Sequence, residues 1–263
     1  MAAVTADVLV IGAGMVGSAC AYYCAEAGLR VVVFDRGPVV GGTTSAGEGN
    51  ILVSDKEPGA ELALALLSVR LWAELGERVG AGSVELEPKG GVVAAQTGEA
   101  AGALAKLATA QREHGVEVTD VGPVELAELE PNLTPRVCAG AYYPQDMQVQ
   151  PMLAAATLLR HARDRGAAVH TGCEVLGLRT GPDGAVTGAT TTAGEVSARH
   201  TVNAAGTWGA EVAAMAGVHV PVLPRKGFIL VTEPLPPKTV RHKVYTADYV
   251  ANVASGDAGL ETS

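Results

Sequence analysis

The segment from Val8 to Asp35 constrains this chain more than any other. Val8, Leu9, Val10 and Ile11 form a continuous apolar run, the pattern of a strand buried on both faces of a parallel sheet. The chain then passes through Gly12-Ala13-Gly14-Met15-Val16-Gly17. A helix should follow, because Val16, Cys20, Tyr23, Cys24 and Ala27 recur at helical spacing and Gly28 can supply the left-handed residue that stops it. Val31 to Phe34 make a second buried strand, which ends on Asp35. Gly12 permits a tight turn, Gly14 lets backbone amides approach a pyrophosphate, and Gly17 lets helix and strand pack closely. Phosphates are favoured at the positive helix N-terminus, and Asp35 stands where a carboxylate accepts hydrogen bonds from a ribose hydroxyl. A glycine pattern alone means little in a chain with 33 glycines. Here strand, helix, second strand and terminal acid agree on a dinucleotide-binding βαβ unit.

The 263 residues, 48% hydrophobic and 18% charged, are enough for a buried core and predict two domains. A formal net charge of -9 offers no basic patch to a phosphate backbone, so nucleic acid is excluded as a partner and a small organic substrate fits better. Cys20, Cys24, Cys138 and Cys173 form no CxxC pair, which favours a reducing compartment and a cytoplasmic location. Cys20 and Cys24, one helical turn apart, read as small core hydrophobes. No apolar run approaches the roughly 20 residues of a membrane span. The six histidines show no metal-ligand spacing, and neither HExxH nor GxSxG occurs, so no metal site is expected.

After Arg36 comes a stretch rich in Gly, Thr and Ser up to Asn50, suited to lie against a planar, phosphate-bearing ligand. Residues 61–79 carry Leu62, Leu66, Val69, Trp72, Leu75 and Val79 at helical spacing. Strands are predicted around 83–86 and 91–95, helices over 99–113 and 124–129, a strand over 139–143, and a helix from Pro151 to about 165. A strand at 168–170, a hairpin of 174–179 with 185–191, and a strand at 195–203 follow. A helix to about Gly217 and β segments at 228–232 and 244–254 complete the reading.

Four separated segments resemble the FAD-dependent oxidoreductases that include D-amino acid oxidase, glycine oxidase and sarcosine oxidase. They are Gly12 to Asp35, the loop Thr43-Thr44-Ser45, Asp146 to Pro151 with its helix, and Val202-Asn203-Ala204-Ala205-Gly206-Thr207-Trp208 followed by Pro221 to Gly227. The resemblance implies an α/β fold, a Rossmann-like FAD-binding domain interleaved with an α+β substrate domain that contains an antiparallel sheet. The expected boundaries are 1–82 and 146–222 for the FAD-binding parts, 83–145 and 223–263 for the substrate parts. By the same resemblance Gly12, Ala13, Gly14, Met15, Val16, Gly17, Asp35 and Arg36 hold the ADP half of FAD. Thr43, Thr44, Ser45 and Gly49 reach the phosphates and the flavin edge, the backbone at Val175 meets the adenine, and Ala205-Gly206 lies near the pyrophosphate. No histidine occurs between Gly41 and Asn50, where some relatives attach the flavin covalently, so a non-covalent FAD is expected.

The implied reaction oxidises the C–N bond of an amino acid or amine, with oxygen or a carrier as electron acceptor. Lys226, Tyr245 and Tyr249 are candidate substrate-pocket residues, the two tyrosines sharing one face of a strand. Relatives continue into a C-terminal segment that covers the flavin. Without it the chain is expected to hold FAD poorly or not at all, and a non-catalytic or inactive fragment or subunit of such a flavoenzyme, working with a partner, is the alternative reading. An NAD-dependent dehydrogenase is a further alternative, because Asp35 suits that dinucleotide equally well.

Overall fold

The computed structural model describes residues 4–248 and divides the chain into two compact units, one of residues up to Glu48 with Gln150–Leu230, the other of Gly49–Val149 with the residues from Val231 on. In chain order the elements are β1 (Val4–Ile11), α1 (Met15–Glu26), β2 (Val31–Phe34), β3 (Asn50–Ile51), α2 (Ala60–Val79), β4 (Gly91–Ala95), α3 (Gly98–Glu113), β5 (Thr119–Val121) and α4 (Pro123–Leu129). Then come β6 (Ala139–Tyr143), β7 (Met147–Gln148), α5 (Pro151–Asp164), β8 (Ala168–His170), β9 (Val175–Thr180), β10 (Val186–Thr191), β11 (Gly194–Asn203), α6 (Gly209–Ala214) and β12 (Lys243–Thr246).

The first unit is built on a sheet of order β8-β2-β1-β11-β10-β9. The four strands β8, β2, β1 and β11 run parallel, and β10 and β9 add an antiparallel extension. Alternation along β1 explains its unbroken apolar run. Val8 and Val10 pack with Ala21 and Ala25 of α1 and Leu159 and Ala162 of α5, while Leu9 and Ile11 pack with Val175, Ala189, Val196 and Val212. Both faces are covered, so each strand position is worth burying.

The second unit carries a sheet of order β12-β4-β6-β5, with β12 parallel to β4 and the remaining pairs antiparallel. Val93 and Ala95 face a core containing Leu62 of α2 with Ala100 and Leu104 of α3, whereas Val92 and Ala94 face Leu126 of α4. A short pair, β3 with β7, is antiparallel. The architecture implied by the resemblance, a Rossmann-like unit interleaved along the chain with an α+β unit that contains antiparallel strands, is present.

Several expectations are corrected. The buried face of α1 is Gly17, Ser18, Ala21, Tyr22 and Ala25, while Val16 is 66% exposed. Gly17, Ser18, Ala21 and Ala25 let this helix approach its sheet closely, and the one large buried side chain, Tyr22, lies against His161 of α5. Residues 228–232 form no strand: from 218 to 240 there is neither helix nor strand, and Phe228, Leu230 and Val231 are 82%, 94% and 89% exposed. A β-favouring sequence stays irregular without a strand to take its hydrogen bonds, and none of the described strands pairs with this segment. Residues 83–86 are likewise no strand, lying in a 3₁₀ turn at Ala81–Ser83 and the chain after it. α6 stops at Ala214, and β12 covers only the start of the segment expected at 244–254, whose residues from 249 on lie outside the described ones. The units divide at 48/49, 149/150 and 230/231 rather than at 82/83, 145/146 and 222/223. α2 lies with the second unit because Leu62, Ala65, Leu66 and Val69 belong to its core.

Candidate nucleotide-binding site

The turn between β1 and α1 is fixed by steric fit. Gly12 has φ +110, and a Cβ there would lie 2.3 Å from the Ala204 carbonyl oxygen. Its N–H donates to Phe34 O at 2.8 Å. A Cβ on Gly17 would lie 1.9 Å from the Gly12 carbonyl oxygen, so only glycine permits this approach of helix to strand. The first-turn N–H groups of α1 have no partner within the helix, and its N-terminus carries partial positive charge. One of them, Met15 N–H, donates to Thr44 Oγ1 at 3.0 Å. The same oxygen lies 3.0 Å from where a Gly14 Cβ would be. Thr44 thus belongs to the mouth of the helix, and its hydroxyl, accepting from Met15, keeps its proton to donate outward.

Asp35 ends β2 and ties the turn together: Oδ2 accepts the Ala13 N–H at 2.7 Å and Oδ1 the Gly37 N–H at 2.8 Å. An ionised carboxylate has about four lone-pair sites, so two remain for hydroxyl donors. The Arg36 guanidinium stacks over the Trp208 ring, 4.1 Å from its centroid. Trp208 ends a 3₁₀ turn at Gly206–Trp208, where Gly206 takes φ +57. Asn203 braces that turn by donating to Gly209 O at 2.8 Å and accepting from Ala205 N at 3.3 Å. The loop before Asn50 contains a 3₁₀ turn, Thr43–Ala46, in which the Ser45 hydroxyl donates to Gly42 O at 2.9 Å.

Gly12, Ala13, Gly14, Met15, Val16, Gly17, Asp35, Arg36, Thr43, Thr44, Ser45, Ala205 and Gly206 all belong to the first unit. Val175 belongs to it as well: Cys173 N–H donates to Asp35 O at 2.9 Å, which holds the start of β9 beside the end of β2. Its own side chain is buried in the core, and the neighbouring Glu174 backbone pairs with Thr192. Gly49 falls in the second unit, with φ +76 and its carbonyl accepting from Val149 N. Lys226 is exposed in the irregular stretch, its ammonium 5.0 Å from the Phe228 ring centroid. Tyr249 lies outside the described residues.

Tyr245, a candidate for the substrate pocket, joins a buried polar network in the second unit. Its hydroxyl donates to Ser54 Oγ at 2.5 Å, and Ser54 Oγ donates in turn to Asp146 Oδ2. Asp146, fully buried, also accepts from the backbone N–H groups of Val53 and Ser54. Burial pushes its carboxyl above the usual carboxylate range, against the opposing pull of the Ser54 and Val53 hydrogen bonds and the Lys243 charge. Gln111 completes the arrangement: its amide donates to the carbonyls of Val53, Ser54 and Lys56 and accepts the Tyr143 hydroxyl at 2.9 Å. Burial likewise pushes the Tyr143 and Tyr245 phenols up. Nothing in the residue pattern marked Ser54 or Gln111, since a buried polar pair separated by tens of residues leaves no periodic trace.

Glycine turn, helix mouth and the carboxylate just after the second strand mark the class of this protein as dinucleotide-binding. The profile of the FAD dependent oxidoreductase family, which is named DAO, matches residues 7–258, and the chain belongs to that family. It is 34% identical over 238 residues to the glycine oxidase of Geobacillus kaustophilus (strain HTA426), covering 88% of this chain and 62% of that protein. It is 31% identical over 234 residues to the mitochondrial dimethylglycine dehydrogenase of Rattus norvegicus, covering 88% of this chain and 27% of the relative. The crystal structure of the Geobacillus kaustophilus glycine oxidase superposes with a TM-score of 0.81 at 28% identity, over 92% of this chain and 66% of that one. L-Proline dehydrogenase from P. horikoshii shares the fold, with a TM-score of 0.82 at 24% identity, over 94% of this chain and 66% of that one. The chain therefore spans under two thirds of the length of these relatives. The family's cofactor is FAD, which displaces the NAD-dependent alternative. No described helix is long and apolar enough to cross a membrane.

Proposed function

We propose that this polypeptide holds FAD non-covalently and takes part in oxidising the C–N bond of a small amino acid or secondary amine. The observation that carries the reading is the Asp35 carboxylate, bound to Ala13 N–H in the glycine turn that leads into the N-terminus of α1. Family membership and the amine-oxidising names of its relatives give the substrate class.

In this reading Asp35 accepts the adenosine ribose hydroxyls through its remaining lone pairs, and its charge repels a 2′-phosphate. The remaining first-turn amides of α1 and the Thr44 hydroxyl meet the pyrophosphate, while Gly14 leaves room for Thr44 to sit at the helix start and accept from Met15. Thr43 and Ser45 line the same loop, Gly49 follows it, and Ala205-Gly206 and the Val175 backbone contribute from the other side of the nucleotide. When bound, FAD supplies the electron sink that takes hydride from the carbon bearing the amine. The protein's own work is to hold that carbon close, to exclude water, and to favour the neutral amine by desolvation. Lys226 is the candidate cation for a substrate carboxylate, while the Tyr245 hydroxyl is turned to Ser54. Tyr249 remains a candidate on the sequence alone. The electron acceptor is oxygen or a carrier. Four free cysteines agree with a reducing, cytoplasmic setting.

A second reading, that the polypeptide acts only together with further protein, is favoured by the exposure of Leu223, Phe228, Leu230 and Val231 at 87%, 82%, 94% and 89%. Purified protein with excess FAD should be mixed anaerobically with glycine, sarcosine, dimethylglycine or D-alanine while flavin absorbance is followed. Bleaching by one of these amines supports the first reading. Bound flavin that no amine reduces favours the second, and failure to bind FAD at all sinks the proposal that this polypeptide by itself holds the cofactor.

A further inference from the structure

The geometry points to Trp208 as a positioning residue for the cofactor's adenylate half: its indole holds Arg36 beside Asp35, so that two sequence-remote loops enclose the dinucleotide as one preformed clamp. This inference rests on the FAD reading above. Arg36 and Trp208 are both exposed, which for a lone arginine would mean a mobile side chain with little preferred direction. Here the guanidinium lies over the ring at 4.1 Å, well within the range of a favourable cation–π contact. The aromatic face is therefore taken by Arg36, and the ring is not free to stack on an adenine from that side.

Both ends of the clamp are built rather than incidental. On the Trp208 side, Trp208 N–H donates to Ala205 O at 3.1 Å, and Asn203 fastens the same turn at Gly209 and Ala205. On the Arg36 side, Asp35 is held by Ala13 N–H and Gly37 N–H, one residue away from Arg36. The following loop is in a conformation that its sequence disfavours: Val40 takes φ +57, a left-handed value rare for a β-branched residue. It is kept there while Val40 N–H donates to Ala13 O at 3.2 Å and Val39 packs on the core shared by α1 and α5. Gly42, two residues on, lies where a Cβ would meet the Trp208 ring edge at 3.9 Å. The Arg36–Trp208 stack thus closes a ring of contacts that runs from Ala13 through Asp35 and Val40 to the 203–209 turn. Strained backbone of this kind persists only where surrounding contacts over-determine it, and it concentrates at ligand clamps.

The role is one of position, because Trp208 acts through Arg36. A double-mutant cycle on the whole chain separates this from a direct contact. FAD and ADP affinities are measured by equilibrium titration for the wild type, Trp208→Leu, Arg36→Ala and the double variant, alongside the melting temperature of each without ligand. Trp208→Leu should weaken both ligands by about twofold to fivefold, the scale of an exposed cation–π contact. The double variant should bind no more weakly than Arg36→Ala alone. Trp208→Phe, which keeps an aromatic face, should retain most of the affinity and serves if the leucine variant fails to fold. The clamp is overturned if Trp208→Leu binds as the wild type does, if its loss persists in full when Arg36 is already alanine, or if FAD weakens and ADP does not. Absence of FAD and ADP binding in the wild type overturns the cofactor reading and this inference together, whereas the preceding outcomes overturn only the clamp.

Discussion

Asp35 Oδ2 and the Ala13 N–H are 2.7 Å apart, so the residue that ends the second strand is bonded directly to the turn that follows the first. The same carboxylate closes its own loop through Gly37 N–H at 2.8 Å. A single side chain therefore shapes the glycine turn before any ligand arrives. Asp35→Ala strands both backbone donors and should lower stability by about 1–3 kcal/mol, the range for unsatisfied buried donors, reduced here by partial exposure. Urea unfolding monitored by circular dichroism reads this. Asp35→Asn, which keeps an acceptor, should lose less stability but still lose affinity for FAD.

Glycine at position 17 is demanded by space. With a Cβ 1.9 Å from the Gly12 carbonyl oxygen, Gly17→Ala must push α1 away from β1 and should destabilise by about 1–3 kcal/mol or more. Gly102, inside α3, meets nothing within 4 Å and is the control. Gly102→Ala should instead stabilise by about 0.5–1 kcal/mol through helix propensity. Thermal melting of the pair, measured together, distinguishes steric demand from a general dislike of substitution.

Asp146 predicts a pH dependence with a definite sign. Its carboxyl is raised in the folded chain, so the native state holds the proton more tightly than the unfolded one. That contribution is fully present below the unfolded value near 3.8 and is lost as pH rises through the higher folded value. Asp146→Asn cannot titrate, and the stability of the wild type relative to the variant should therefore be greatest at low pH and fall as pH rises. Urea midpoints taken across that range would refute the idea if the difference stayed flat.

Asp7 should behave in the opposite way. Hydrogen bonds from the Arg30 side chain and backbone hold its carboxyl at about 2, below the usual 3.8. Its contribution is present above the unfolded value and is lost as pH falls through about 2. Arg30→Met keeps the backbone bond and should reduce that acid-limb dependence, read as an upward shift of the Asp7 carboxyl titration followed by NMR. Both groups are solvent-facing, so salt should weaken the effect.

The amino-acid sequence by itself determined the βαβ unit and hence the class of ligand. Val8 to Ile11, the three glycines and Asp35 act within one stretch of chain, where residue type and spacing alone dictate strand, tight turn, close helix approach and carboxylate position. Tertiary structure decided which face of α1 is buried, because close packing selected Gly17, Ala21 and Ala25 over the larger Val16. It decided that residues 228–232 stay irregular, since a strand needs a neighbour and no local pattern supplies one. Only the folded chain joined Tyr245 to Ser54 and Asp146, and Arg36 to Trp208. Such pairs depend on distances closed by the path of the whole backbone, and a carboxylate or an indole at its own position carries no record of the partner it will meet.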